Sequence, residues 1–179
     1  MMLVLVVGPS GAGKDTLLQA ARVALENNPR FRFVRRVITR PADAGAEDHE
    51  AVSETEFESR NFALRWTAHG LRYGIPVDVE ADLRDGLTVV ANVSRGVIAD
   101  AAARFPTRVI EITAPDAVRA ERLAARGREQ PDDVAARLAR SVDLPSDVPR
   151  ETVMNDGPLE QGVGQLLTLL IRATAVSRQ

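Results

Sequence analysis

Residues 3–18 read Leu3-Val4-Leu5-Val6-Val7-Gly8-Pro9-Ser10-Gly11-Ala12-Gly13-Lys14-Asp15-Thr16-Leu17-Leu18. The run of Val and Leu from Leu3 to Val7 predicts a short strand buried on both faces, as in a parallel sheet. From Thr16 the apolar residues Leu17, Leu18, Ala21 and Leu25 fall on one side of a helix. Between strand and helix lies G-x-x-x-x-G-K, Gly8 to Lys14, in the setting that a phosphate-binding loop requires. Glycines let successive N–H groups turn toward one point, and the helix N-terminus adds partial positive charge there. Gly8, Pro9, Ser10, Gly11, Ala12, Gly13, Lys14, Asp15 and Thr16 are therefore the candidate nucleotide-phosphate-binding residues. Lys14 is the candidate cation for the β- and γ-phosphates. A glycine-rich turn with no ligand is the bland alternative. Against it, 22 of the 23 basic residues are arginine, and the one lysine stands at this position.

One position departs from the motif. The residue after the lysine is ordinarily Ser or Thr, whose hydroxyl ligates Mg2+. Here it is Asp15, which could hold the metal directly or through water. Alternatively Thr16 supplies the hydroxyl, or Asp15 only caps the helix. Nor does an apolar run end in Asp as a second metal anchor. Leu87–Val93 carries Asn92 in that place.

Outward from this loop, short apolar runs alternate with helical patterns, which predicts an α/β fold with a mainly parallel sheet. Phe31–Thr39, Leu87–Val93, Arg108–Thr113 and Thr152–Met154 are the further strand candidates. Helices are expected over Val77–Arg84, Ser94–Arg104, Pro115–Arg126, Asp132–Ser141 and Pro158–Ala173. The stretch 41–76 breaks the rhythm and reads as an insert over one edge of the sheet. It opens with Pro41-Ala42-Asp43-Ala44-Gly45-Ala46-Glu47-Asp48-His49-Glu50, has a capping-box spacing at Ser53 and Glu56, and ends in a candidate strand region, Phe62–Tyr73. Gly127 to Asp133 suits a mobile flap. The expected division is one domain, with core 1–40 and 77–179, insert 41–76 and lid about 126–137.

Bulk numbers narrow the function. At 179 residues the chain is one domain's length, and 45% hydrophobic with 27% charged residues is a globular balance. The charges, 23 basic against 25 acidic, leave a formal −2, which argues against a nucleic-acid partner. The aromatics are not spaced as a base-stacking platform either. Cysteine is absent, which excludes disulfides, thiol catalysis, iron–sulfur clusters and cysteine-based zinc sites. Leu3–Val7 has no basic lead and stops too soon for a signal peptide or a membrane span. The expectation is a cytoplasmic enzyme with no membrane partner.

Together the motifs resemble the nucleoside-monophosphate kinases of the P-loop class, and guanylate kinase-like proteins in particular. Gly8 to Lys14 resembles that family's phosphate loop, and Thr39-Arg40-Pro41 with Gly45 and Glu47 its acceptor-phosphate segment. Tyr73-Gly74 is similar to its Tyr-Gly pair, Arg126-Gly127-Arg128 to its lid, and Asn155-Asp156 to the pair near its last strand. The family's second phosphate-gripping arginine falls near Ala42 and Asp43, so it is missing. His49 stands about where a phosphate-binding tyrosine belongs. A guanine-reading glutamate belongs near Leu64 and Arg65, yet no Asp or Glu occurs between Glu58 and Asp78. The closer resemblance is to the ribose 1,5-bisphosphate phosphokinases, guanylate kinase relatives associated with phosphonate breakdown. It rests on GPSGAGKDTLL, ITRPADAGAEDH, LRYG, RGREQ followed by ARLAR, and NDG.

That resemblance implies a three-layer P-loop kinase that moves the γ-phosphoryl group of ATP, with Mg2+, onto the 1-phosphate of ribose 1,5-bisphosphate. The product is 5-phosphoribosyl 1-diphosphate. Lys14, Arg40, Arg126 and Arg128 are its implied catalytic residues, Arg36, Arg40, His49 and Tyr73 its acceptor-binding residues, and Asp15 and Thr16 its metal candidates. Guanylate kinase is the alternative. A non-catalytic guanylate kinase-like binding module is a further one, but it predicts a damaged phosphate loop, and this loop is intact. Arg119 and Arg122 share one helix face, where the expectation is pairing with Glu121 or with solvent. For Arg137 and Arg140 a solvated face and a lid contact weigh equally. Trp66 is expected to pack within the insert, and His69 to be an ordinary polar residue.

Overall fold

A computed structural model of the chain describes residues 1–42, 48–125 and 145–176. Its centre is β1 (Met2–Val7), the third strand of a five-stranded, wholly parallel sheet. The order is β2 (Phe31–Phe33), β7 (Thr88–Asn92), β1, β8 (Thr107–Thr113), β9 (Arg150–Met154). The alternation within β1 explains the layers. Val4 and Val6 face Leu17 and Ala21 of α1 (Lys14–Ala24) and Leu166, Leu170 and Ala173 of α6 (Leu159–Val176). Leu3, Leu5 and Val7 face the opposite way. They meet Val79 and Leu83 of α3 (Val79–Arg84), and Ile98 and Ala101 of α4 (Ile98–Arg104). A strand apolar at every position is what two covered faces require.

Most expected elements stand where periodicity placed them, with two differences. Phe31–Thr39 is not one strand. Val34 N makes a last bond to Val90 O of the core sheet at 2.9 Å, and the chain then leaves it. Val37–Ile38 form β3 in a second sheet of order β4-β3-β6-β5, with β4 at Glu50–Ala51, β5 at Phe62–Ala68 and β6 at Leu71–Pro76. This small sheet therefore takes a strand from before Pro41. Ser94–Arg104 likewise opens as a 3-10 turn, Arg95–Val97, before α4. The expected helix Asp132–Ser141 lies outside the described residues.

Local signals account for the small sheet. The capping box forms, with Ser53 Oγ accepting from Glu56 N at 3.2 Å and Glu56 accepting from Ser53 N at 2.8 Å, and it starts α2 (Glu54–Glu58). β5 and β6 join through His69 and Gly70, whose φ angles of 53° and 72° give the two left-handed positions of a tight hairpin turn. His69 is thus a turn residue. Trp66 stacks on Tyr73, ring centroids 5.4 Å apart, but also donates its indole N–H to Ser94 Oγ at 2.9 Å. It ties the small sheet to the core rather than packing only within the insert.

Candidate active site

The glycine-rich loop leaves β1 at Gly8 and enters α1 at Lys14. Gly13 has a φ of +81°, and a Cβ there would lie 2.5 Å from Asn155 Nδ2, so conformation and space both demand glycine. The carbonyls of the loop are held from behind. Arg119 Nε donates to Ser10 O at 3.1 Å, Arg122 Nη1 lies 3.4 Å from both Gly11 O and Ala12 O, and Asn155 Nδ2 donates to Ala12 O at 2.8 Å. Arg122 also reaches the Asn155 carbonyl at 2.9 Å, and Arg119 pairs with Asp116 at 2.8 Å. Both arginines sit on α5 (Asp116–Ala125), and Arg119 is only 6% exposed. The reading of this face as solvated is therefore wrong. The period of a helix identifies a face but not what lies opposite, and here it is the phosphate loop. These bonds occupy the carbonyls of Ser10, Gly11 and Ala12 with α5 and Asn155.

Lys14 donates to Asn92 Oδ1, and Asn92 Nδ2 donates to Asp15 Oδ1 at 3.0 Å. Asn92 ends β7 beside Val6 of β1 and is buried, whereas Asp15 and Thr16 are exposed and line an open cleft. The cleft runs between α1 and the end of β2, past Arg22, Phe33 and Asp48. Among the described residues no group of three or more His, Asp or Glu could by itself hold a metal ion. One carboxylate and one hydroxyl at the mouth of a phosphate loop instead suit Mg2+, which keeps several waters and takes its other ligands from phosphates.

In the small sheet, the parallel pairing of Val37–Ile38 with Glu50–Ala51 brings Arg40, just past β3, against His49, just before β4. Arg40 Nη2 and His49 Nδ1 are 3.4 Å apart, and His49 Nε2 is 3.1 Å from the Arg40 carbonyl. That carbonyl only accepts, so the bond places a proton on Nε2 and leaves Nδ1 to face the guanidinium. His49 is buried, and so is Arg36, whose guanidinium lies 5.2 Å from the Tyr73 ring centroid. Asp48 accepts from Arg35 at 2.8 Å and from Arg22 at 3.2 Å. Hydrogen bonds from Arg22 and Arg35 hold its carboxyl below the usual carboxylate range.

The structure thus gathers Arg36, Arg40, His49 and Tyr73 on the small sheet and Gly8–Thr16 at the core sheet. Arg126 and Arg128 lie outside the described residues, as do Gly45 and Glu47. Leu64 is buried, and Arg65 lies over Phe57 and pairs with Glu58 at 3.3 Å. Asn92, Arg119, Arg122 and Asn155 complete the loop's surroundings. Of these only Asn92, at the end of an apolar run, and Asn155 in its motif carry a signal in the sequence. Among the described residues no helix is long and apolar enough to cross a membrane.

A family model described as an AAA domain matches residues 3–155. The chain is 58% identical over 139 residues to a ribose 1,5-bisphosphate phosphokinase PhnN of Acidiphilium cryptum, covering 78% of this chain and 76% of that protein. It is 49% identical to a bifunctional ribose 1,5-bisphosphokinase-thymidine phosphorylase of Cupriavidus necator, spanning 96% of this chain and 29% of that longer protein. The crystal structure of guanylate kinase from Anaplasma phagocytophilum shares the fold, with a TM-score of 0.67 at 16% identity over 99% of this chain and 87% of that one. A ribose 1,5-bisphosphate phosphokinase PhnN of Agrobacterium fabrum is 43% identical across 99% of this chain and 100% of its own. Likeness that runs from end to end, on a loop made to hold phosphates, makes this chain a kinase of the ribose 1,5-bisphosphate phosphokinase family.

Proposed function

We propose that this chain transfers the γ-phosphoryl group of ATP to the 1-phosphate of ribose 1,5-bisphosphate, giving 5-phosphoribosyl 1-diphosphate and ADP. An oxygen of the 1-phosphate bonds to the γ-phosphorus. The bond from that phosphorus to the β,γ-bridging oxygen breaks, and its electron pair leaves on ADP. The acceptor oxygen is already anionic, so no general base is needed. Catalysis rests on positioning and on neutralising charge around a loose transition state.

The observation that carries the substrate choice is the make-up of the small sheet. Arg36 lies over Tyr73 and Arg40 lies against His49, whereas the place of a guanine-reading carboxylate is taken by buried Leu64 and by Arg65. Cations and a phenol suit a sugar bisphosphate. Guanine offers two donors, N1–H and an amino group, and would leave them unmatched there.

In this reading the small sheet with segment 41–76 holds the acceptor. Lys14 holds the donor phosphates, and Arg40, with Arg36, His49 and Tyr73, grips the acceptor phosphates. Arg126 and Arg128, within a lid about 126–137, close over the transferring group and exclude water. Asp15 and Thr16 are the residues that would hold Mg2+, which would neutralise the charge of the donor phosphates. Both substrates are phosphorylated metabolites, so the reading places the enzyme in the cytoplasm with small-molecule partners.

Phosphorus NMR of the purified protein with Mg-ATP tests the position of transfer. Ribose 1,5-bisphosphate is expected to give a new diphosphate signal and ADP. Ribose 5-phosphate, which lacks the accepting 1-phosphate, is expected to give neither. Equal turnover of both sugars would assign the wrong acceptor oxygen.

A further inference from the structure

P-loop NTPases ordinarily divide the metal between two residue types: a Ser or Thr hydroxyl after the loop lysine, and an Asp at the end of a nearby apolar strand. In this chain both positions are filled by the other kind of group. The carboxylate follows the lysine, as Asp15, and the neutral residue ends the strand, as Asn92. The two touch, Asn92 Nδ2 to Asp15 Oδ1 at 3.0 Å, while Asn92 Oδ1 accepts from Lys14. Only one amide orientation serves both neighbours. Turned over, Asn92 would set its NH2 against the ammonium and its oxygen against the carboxylate.

We propose that Asn92 is the positioning residue for Asp15, and that the pair is a matched exchange which moves the metal-facing carboxylate from strand β7 to the first turn of α1. An aspartate at 92 would satisfy Lys14 but would bring two carboxylates within about 3 Å, where like charges oppose each other. A residue that both accepts and donates is therefore the type that Asp15 needs beside Lys14. Its N–H holds one Asp15 oxygen, and Asp15 itself is exposed and lines the open cleft. Asn92 is buried and fixed by β-sheet pairing with Val6, so it can set the angle of an exposed side chain.

The inference rests on the proposed binding of Mg-ATP, and its test uses no sugar acceptor. ATP affinity is measured calorimetrically in excess Mg2+ and in EDTA for the wild type, Asp15→Ser, Asn92→Asp and the double variant, with the ligand-free melting temperature as the control for folding. Each single variant is expected to lose about tenfold of the Mg2+-dependent tightening. The double variant restores the ordinary division, Ser after the lysine and Asp on the strand, and should recover to within about threefold of wild type. Singles that keep the full Mg2+ dependence, or a folded double variant no better than the weaker single, would overturn the exchange. If the double variant does not fold, Asn92→Ala decides. Its affinity for Mn2+-ATP, read by electron paramagnetic resonance, should fall about tenfold, and a wild-type value contradicts the proposal. A wild type that binds Mg-ATP in this way but does not phosphorylate ribose 1,5-bisphosphate would sink the proposed function and leave this inference standing.

Discussion

Two arginines illustrate how differently single residues enter this site. Arg40 lies on the small sheet against His49, whereas Arg122 braces the carbonyls of Gly11 and Ala12 behind the phosphate loop. Arg40→Ala is expected to raise KM for the acceptor, and Arg122→Ala to raise KM for ATP. Each should cost at least about tenfold in kcat/KM, near 1.4 kcal/mol. Steady-state kinetics with each substrate varied in turn separates the two, and the opposite pattern would reverse the assignments. Asp48 gives a pH prediction. Its carboxyl is held low by Arg22 and Arg35, so the folded state binds its proton less readily than the unfolded chain. The stabilisation is fully present above the ordinary aspartate pKa and is lost as pH falls through the lowered one. It is small, because the side chain is 48% exposed. Melting temperatures of wild type and Asp48→Asn should differ slightly at neutral pH and converge in acid. Equal values at neutral pH would show that the pairs contribute nothing. Lys14 is readable in the sequence because its motif is contiguous. Arg119 is not, because the carbonyl it holds, that of Ser10, is 109 positions away.

Among the elements, the hairpin of β5 and β6 leaves no room for a side chain at Gly74. Phe62 stacks on Phe57, centroids 4.4 Å apart, and its ring lies directly over Gly74. A Cβ at position 74 would run into that ring, so Gly74→Ala should destabilise the protein by about 1–3 kcal/mol through overpacking. Urea denaturation reads this, and a midpoint equal to wild type would mean that the ring moves aside without cost. The same variant should weaken the acceptor side, where Tyr73 is the neighbour, more than ATP binding at the separate loop. Strands and helices of the core sheet are legible because each is a contiguous apolar run or a helical period. The break at Val34 is not. Phe31–Thr39 reads as one strand candidate, and only the three-dimensional pairing partners, β7 for Phe31–Phe33 and β6 for Val37–Ile38, assign it to two sheets.

On the scale of the molecule, two sheets divide the chain: a parallel sheet that carries the phosphate loop and a small mixed sheet that carries arginines, a histidine and a tyrosine. The fold and the donor half were legible because a phosphate loop announces its strand, its helix and its ligand in one stretch. The acceptor half was legible only through resemblance, since its residues come from 36 to 73 and meet through strand register. Its identity as a sugar-phosphate site is the central claim, and competition between acceptors tests it most directly. In excess Mg-ATP, kcat/KM for ribose 1,5-bisphosphate is expected to exceed that for GMP by at least about 100-fold, because Leu64 and Arg65, not a carboxylate, stand in the guanine-reading place. A ratio near one, or one that favours GMP, would contradict the account and return the chain to the guanylate kinases.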